Sequence, residues 1–342
     1  NIRLWLSNDF QQGSSVAVRG HYAYCITPAM ISGAVRTTNA FLTTVDMSDP
    51  DVPVIVDHED IGEEWYFCNI RINNAGTKLY IGGQVGDPTL TTFRAKRYNL
   101  TVPSNPALEL SGDIPLDSST WNLIEPSTGG EYLFGSTPTY IGGGNYTYHP
   151  LSVVDGSNFS TVGTYATGVL NAQPLRFSPP LQCGDLVMAT ILGSLLGLDF
   201  TVPSAPTLLW SQAFGGNAAL RLDDDHFYTT QYLVDVTSPA SPIFTATSPD
   251  FSIPDRLRFL NGTVYQAGLG NTAVPYQASS AVTYSLAVPL APETVSFVQC
   301  ATEAFDRAGQ RIGDMDSEGS LVYICEIGST SDGIQLTIQT SL

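Results

Sequence analysis

The chain has 342 residues, a formal net charge of −18 and a pI near 4.3, with 32 acidic residues against 14 basic ones. Hydrophobic residues make up 43% and charged residues 13%, the latter about half the usual share. The balance excludes a disordered chain, a nucleic-acid-binding domain with its basic face, and a surface that docks on anionic lipid.

No apolar run reaches the ~18 residues that a membrane-spanning helix needs. The low charge content also argues against long surface helices with Glu/Lys ladders. The 31 Gly and 22 Pro, with 16 Tyr and 15 Phe, predict an all-β chain of short strands joined by turns.

In chain order, an apolar strand at 1–6 comes first, and repeating units follow. Unit one (10–57) holds a tight turn leading into a Tyr-rich strand, Arg19-Gly20-His21-Tyr22-Ala23-Tyr24-Cys25. Its second half is an apolar strand entering a Pro turn, Val45-Asp46-Met47-Ser48-Asp49-Pro50-Asp51-Val52-Pro53. Unit two (58–112) repeats these as Ala75-Gly76-Thr77-Lys78-Leu79-Tyr80 and Leu100-Thr101-Val102-Pro103-Ser104-Asn105-Pro106. Unit three (113–166) has Gly129-Gly130-Glu131-Tyr132-Leu133-Phe134 and Val154-Asp155-Gly156-Ser157-Asn158, without the Pro. Unit four (167–213) has Cys183-Gly184-Asp185-Leu186-Val187-Met188 and Phe200-Thr201-Val202-Pro203-Ser204-Ala205-Pro206.

Unit five (214–248) puts Asp in place of the turn Gly, Asp224-Asp225-His226-Phe227-Tyr228, and ends in Val234-Asp235-Val236-Thr237-Ser238-Pro239-Ala240-Ser241-Pro242. Unit six (249–300) has Asn261-Gly262-Thr263-Val264-Tyr265 and Leu286-Ala287-Val288-Pro289-Leu290-Ala291-Pro292. Unit seven (301–342) has Glu318-Gly319-Ser320-Leu321-Val322-Tyr323 and one further strand, 333–339, so it is a strand short. Gly, Asn and Asp tolerate the positive φ of tight hairpins, and Pro confines the second motif to turns.

Seven units of about 49 residues, each of four antiparallel strands, are the signature of a seven-bladed β-propeller. The N-terminal segment 1–9 is expected to complete the last blade, which makes 1–342 a single closed domain. Residues 15–24 followed by 45–56 resemble one unit of the LVIVD-repeat β-propellers, and unit five repeats the Val-Asp-Val-Thr-x-Pro-x-x-Pro part. The resemblance implies the propeller fold and an extracellular or cell-surface protein, with no assigned activity.

The five cysteines are Cys25, Cys68, Cys183, Cys300 and Cys325. Two arrangements stand open: disulfides 25–68 and 300–325 with Cys183 free, or five buried thiols. Disulfides would place the protein in an exported compartment, as would use of the sequons at Asn99, Asn145, Asn158 and Asn261.

Five of the twelve arginines recur in first strands: Arg71, Arg176, Arg221, Arg258 and Arg311. Facing the channel, they would form a partial ring of fixed positive charge for carboxylates, phosphates or sulfates. Alternatively, each pairs with an acid such as Glu125, Asp255 or Asp306 and braces adjacent blades.

The segment 57–65 carries His58, Glu59, Glu63 and Glu64, enough for acid/base or metal chemistry, or simply an acidic solvated loop. Acid/base candidates are His58, Glu64, Asp255, Asp306 and Glu303. The runs 223–226 and 314–319 resemble Ca²⁺ loops, but both coincide with inner hairpin turns that the repeat already explains. No cofactor and no metal centre is therefore expected, with Ca²⁺ as the alternative. No His pair has metal-ligand spacing, and neither GxSxG, a P-loop nor GxGxxG after a strand occurs.

Long second-to-third connections are expected at 27–41, 83–95, 137–150 and 268–282, giving a rim for a ligand or protein partner. The leading functional expectation is a non-catalytic binding module for a small anionic ligand or a protein. The alternatives are a lactonase, lyase or isomerase acting on a carboxylated small molecule or sugar acid, and a structural subunit of a surface layer or filament.

Overall fold

Period-two alternation and turn residues at regular intervals give strands and nothing else. The computed structural model describes residues 2–7, 15–27, 31–32, 35–36, 39–49, 52–62, 65–85, 92–116, 121–141, 145–166, 180–191, 194–213, 219–221, 225–229, 232–246, 256–260, 263–267, 280–287, 296–304, 311–318, 321–327 and 334–340. Among them there is no helix.

After β1 (Ile2–Ser7), sheet one is built from β2 (Ser15–Arg19), β3 (Tyr22–Thr27), β6 (Ala40–Asp46) and β7 (Val54–Gly62), with a small ribbon of β4 (Ile31–Ser32) and β5 (Val35–Arg36) inserted. Sheet two is β8 (Trp65–Ile72), β9 (Lys78–Val85), β10 (Thr92–Asn99) and β11 (Ala107–Asp113). Sheet three is β12 (Asn122–Ile124), β13 (Tyr132–Ile141), β14 (Asn145–Asp155) and β15 (Thr161–Tyr165). Sheet four is β16 (Leu181–Cys183), β17 (Leu186–Ile191), β18 (Ser194–Asp199) and β19 (Thr207–Ala213).

Sheet five is β20 (Ala219–Arg221), β21 (His226–Thr229), β22 (Tyr232–Asp235) and β23 (Ile243–Ala246). Sheet six is β24 (Arg256–Leu260), β25 (Thr263–Ala267), β26 (Ser280–Ala287) and β27 (Ser296–Ala304). Sheet seven is β28 (Arg311–Glu318), β29 (Leu321–Ile327) and β30 (Ile334–Thr340), with β1 as its fourth strand. β1 pairs antiparallel with β30, Ile2 opposite Ile338 and Leu4 opposite Leu336. The N-terminal strand thus supplies the one that unit seven lacks.

Two compact units divide the chain: Asn1–Gly112 with Asp255–Tyr284 and Gln299–Leu342, and Asp113–Pro254 with Ser285–Val298. In the first, Tyr24, Ile26 and Leu42 of sheet one pack on Ile70, Leu79 and Ile81 of sheet two. In the second, sheet four is buried on both faces. Its Val187 and Ala189 pack with Phe134 and Val153 of sheet three, while Leu186 and Met188 pack with Phe227 and Val234 of sheet five. Strands covered on both faces read as near-continuous apolar runs, which accounts for the low charge content.

One turn recurs in sheets one to five. The last residue of the third strand accepts the N–H two residues on: Ser48 to Asp46 Oδ1 (2.8 Å), Thr101 to Asn99 Oδ1 (2.7 Å), Ser157 to Asp155 Oδ1 (2.7 Å), Thr201 to Asp199 Oδ1 (2.8 Å) and Thr237 to Asp235 Oδ1 (2.9 Å). This is the Asx turn. The intervening residues Met47, Leu100, Gly156, Phe200 and Val236 are buried. Each donates its N–H to the inner hairpin of its own sheet, at His21, Thr77, Glu131, Asp185 and Asp225.

The next sheet's outer turn is also read by its predecessor. Tyr24 donates to the Pro103 carbonyl at 3.0 Å and Trp210 Nε1 to that of Pro239 at 2.9 Å. The equivalent Pro203 carbonyl lies 2.5 Å from where a side chain on Gly163 would begin, so only Gly fits there.

Several sequence boundaries move. Residues 57–62 belong to β7, not to a loop entering sheet two, because Val54-Ile55-Val56 starts a strand that the acidic residues continue in alternation. Sheet six extends to Ala304, past residue 300. The long connection 137–150 is instead hairpin: Thr137 pairs with His149 and Ile141 with Asn145 across a bulge. Its Thr and Tyr residues favour strand, and only 142–144 remain between β13 and β14.

Candidate functional site

The first strands lie side by side. In the first unit β24 contacts β28, β28 contacts β2, and β2 contacts β8; in the second, β16 contacts β20. Arg71 is on β8, Arg221 on β20, Arg258 on β24 and Arg311 on β28. Arg176 lies outside the described residues, as do Glu64, Asp255 and Asp306. Glu303 is on β27.

Register separates the arginines. Arg71 and Arg258 each sit opposite a tyrosine of the second strand, Tyr80 and Tyr265, near the inner hairpin. Arg221 is opposite Phe227, in the pair nearest the turn. Arg311 opens β28 opposite Ile327, at the far end from the hairpin.

Around Arg71 the side chains form a network. Its Nη1 donates to Asn69 Oδ1 and to the Ile70 carbonyl, both at 2.7 Å. Asn69 Oδ1 also accepts Ser15 Oγ at 3.3 Å and the Ile70 N–H at 3.0 Å. Ser15 and Asn69 are buried and Arg71 is half-buried. Two neutral acceptors of β8 thus hold the guanidinium, and Ser15 of β2 joins the network through Asn69.

His58 is exposed on β7. Its ring stacks on Phe41 at 4.5 Å, and its Nδ1 meets Thr43 Oγ1 at 2.9 Å. Thr43 is fully buried, so this contact positions the imidazole and does not present a nucleophile to substrate.

A second cluster links β7 and β10. Lys96 Nζ donates to the Ile61 carbonyl at 2.6 Å, and Tyr98 donates to Glu59 Oε1 at 3.4 Å. Burial raises the Glu59 carboxyl, opposed by Lys96 and Tyr98. Burial lowers the Lys96 ammonium, opposed by Glu59. The signal for this cluster was in the sequence as two period-two series, Asp57/Glu59/Ile61 and Arg94/Lys96/Tyr98.

A third group sits on sheet two: Lys78 contacts both oxygens of Glu109 (2.6 and 2.8 Å), joined by Arg97 Nε (3.0 Å) and Asn99 (2.9 Å). The Lys78 hydrogen bond, first among several, holds Glu109 below the usual carboxylate range.

Among the described residues, no three His, Cys, Asp or Glu side chains converge on a metal position. Residues 314–318 of the second acidic run lie in β28, and Gly319 lies outside the described residues. Asp225 serves the inner turn through its carbonyl, which accepts the Val236 N–H at 2.7 Å, and Asp223 and Asp224 lie outside the described residues.

Cys25, Cys68 and Cys183 are buried and in no disulfide, so the 25–68 bridge is not formed. Burial pushes the Cys68 thiol up, away from a reactive thiolate. At Asn99 the side-chain amide is engaged by the turn and by Glu109.

No helix among the described residues is long and apolar enough to cross a membrane. Comparison with known proteins found no matching family model and no matching curated protein.

Proposed function

We propose that the chain is a seven-bladed β-propeller of the LVIVD-repeat kind, closed by β1, acting outside the cell or at its surface as a non-catalytic binding module. Its ligand is a small anion, held where first strands adjoin in the first unit. Seven four-stranded sheets, the pairing of β1 with β30, and first strands set edge to edge support the propeller reading.

The observation that carries the ligand is the succession β24, β28, β2, β8, which puts Arg258 and Arg311 on adjoining strands and Arg71 two strands beyond Arg311 in an acidic protein. Arg258 and Arg71, which share a register position, are the ligand-binding pair. Arg311, at the other end of its strand, contributes at longer range. A forked cation set in low-dielectric surroundings recognises carboxylate, phosphate or sulfate oxygens.

Calorimetric titration with phosphate, sulfate, succinate and glucuronate tests this. At least one is expected to bind, and Arg71→Ala or Arg258→Ala is expected to weaken it by about tenfold or more, the worth of a lost charged hydrogen bond. Absence of binding by the whole panel overturns the ligand reading.

A further inference from the structure

We propose that the outer edge of β7 is a docking site for an extended segment of a partner protein, basic towards its N-terminal end and aliphatic towards its C-terminal end, which adds to sheet one as an antiparallel strand. The site uses the edge opposite β2 and is independent of the anion site.

β7 is nine residues long and ends the order β2-β3-β6-β7; no other strand among the described residues pairs with its outer edge. Its first three residues are aliphatic and open to solvent: Val54 51%, Ile55 41% and Val56 41% exposed, preceded by Val52 at 62%. A strand covered on one face alternates between buried and exposed positions. Three consecutive exposed residues mean that this part of β7 stands clear of its neighbours on both faces. The β6–β7 ladder shifts between Thr44 and Val45, which makes Val56 the extra residue of a bulge and re-aims the side chains around it.

Of the fourth strands whose exposure is described, β11 opens on a like run of three exposed residues, Ala107, Leu108 and Glu109, but only Leu108 among them is a large aliphatic one. On β11 the edge carries Glu109, tied to Lys78, Arg97 and Asn99. β19 and β23 each expose one large aliphatic residue, Leu208 and Ile243. A free edge with exposed Val and Ile, and without Lys or an internal Pro, is the form of strand that accepts another strand.

Charge selects the occupant. Asp57 and Asp60 follow the aliphatic run, Asp49 precedes it, and the chain carries −18. A second copy would bring like charge to the same edge, whereas a basic segment is attracted. In an antiparallel addition, the partner's basic residues fall beside Asp57 and Asp60, and its aliphatic residues beside Val54 to Val56.

The probe is the peptide acetyl-Lys-Thr-Lys-Val-Thr-Val-Thr-amide, measured by fluorescence anisotropy on the intact protein. Binding is expected, weakened by added salt. Val54→Lys with Val56→Lys is expected to reduce affinity by about tenfold while leaving the melting temperature unchanged, since both sites are exposed. Asp57→Asn is expected to flatten the salt dependence. A peptide with Pro for both Val residues, unable to complete the ladder, is expected not to bind. Equal binding of the Pro peptide, no binding of the original, or concentration-dependent dimerisation that the Lys variants abolish would each overturn the proposal, the last by making a second copy the occupant.

Discussion

At the scale of single residues, the outer turns rest on the dipeptide start Asp-x-Ser/Thr or Asn-x-Thr. The outer turns of sheets one to five all carry it, but the Pro residues of the sequence draw the eye first. Pro explains why a strand stops. The carboxylate explains why the chain turns back at that residue, because it replaces the ladder partner that the next N–H has lost. Asp46 shows the effect: the Ser48 N–H, ahead of its other influences, holds the carboxyl below its ordinary value.

Glu59 is shifted the opposite way, and the signs separate the two kinds of acid. Its carboxyl is raised by burial, so its contribution to stability is fully present below the ordinary glutamate range and is lost as pH rises through the raised value. Asp46, Asp235 and Glu109 are held low and contribute above the ordinary range, fading as pH falls. Glu59→Gln removes only the first kind. Wild type is therefore expected to lose stability relative to Glu59→Gln as pH rises through that window, by less than about 1 kcal/mol because water screens a half-buried group. Thermal melts of both proteins across pH check this, and a difference of opposite slope would refute it.

At the scale of elements, inner hairpins were legible because Gly at positive φ marks them; Gly20, Gly76 and Gly184 all adopt it. Segment ends were less so. Acidic residues at 57–62 read as loop by composition, yet they alternate at the strand period. The Thr/Tyr-rich stretch 137–149 read as a long loop because three glycines sit in its middle, yet the residues on either side of them pair as far as Ile141 and Asn145. The arginine recurrence was visible, but bulges and unequal turns hid the register that sets Arg311 apart.

Contacts between successive sheets were invisible to sequence reading, since they depend on which residue lacks a side chain. Gly163→Ala tests one of them. Its Cβ would meet the Pro203 carbonyl at 2.5 Å, and the outer turn of sheet four must shift. A loss of about 1–3 kcal/mol is expected in denaturant unfolding, a magnitude typical of overpacking. Gly129→Ala is no control for this site, because its φ of 88° adds backbone strain of its own.

At the scale of the whole molecule, the repeat count and the N-terminal strand were readable by simple arithmetic: one unit lacked a strand and the chain began with a spare. Removal of residues 1–9 leaves the edge of β30 bare. The truncated protein is expected to melt earlier and to self-associate in size-exclusion chromatography, with both effects reversed by adding the 1–9 peptide in trans. Unchanged melting would detach β1 from the stability of sheet seven.

Sheet four shows why such a repeat is faint when its units are aligned. Val187 answers to sheet three and Met188 to sheet five, so residues adjacent in the chain are shaped by different neighbours. Substitutions there should compensate one another across junctions some tens of residues apart and ignore the residue next door. Sheet four is thus tailored to two dissimilar partners, and the sameness of the units persists mainly in their turns, whose Asx and inner-hairpin hydrogen bonds stay within one sheet.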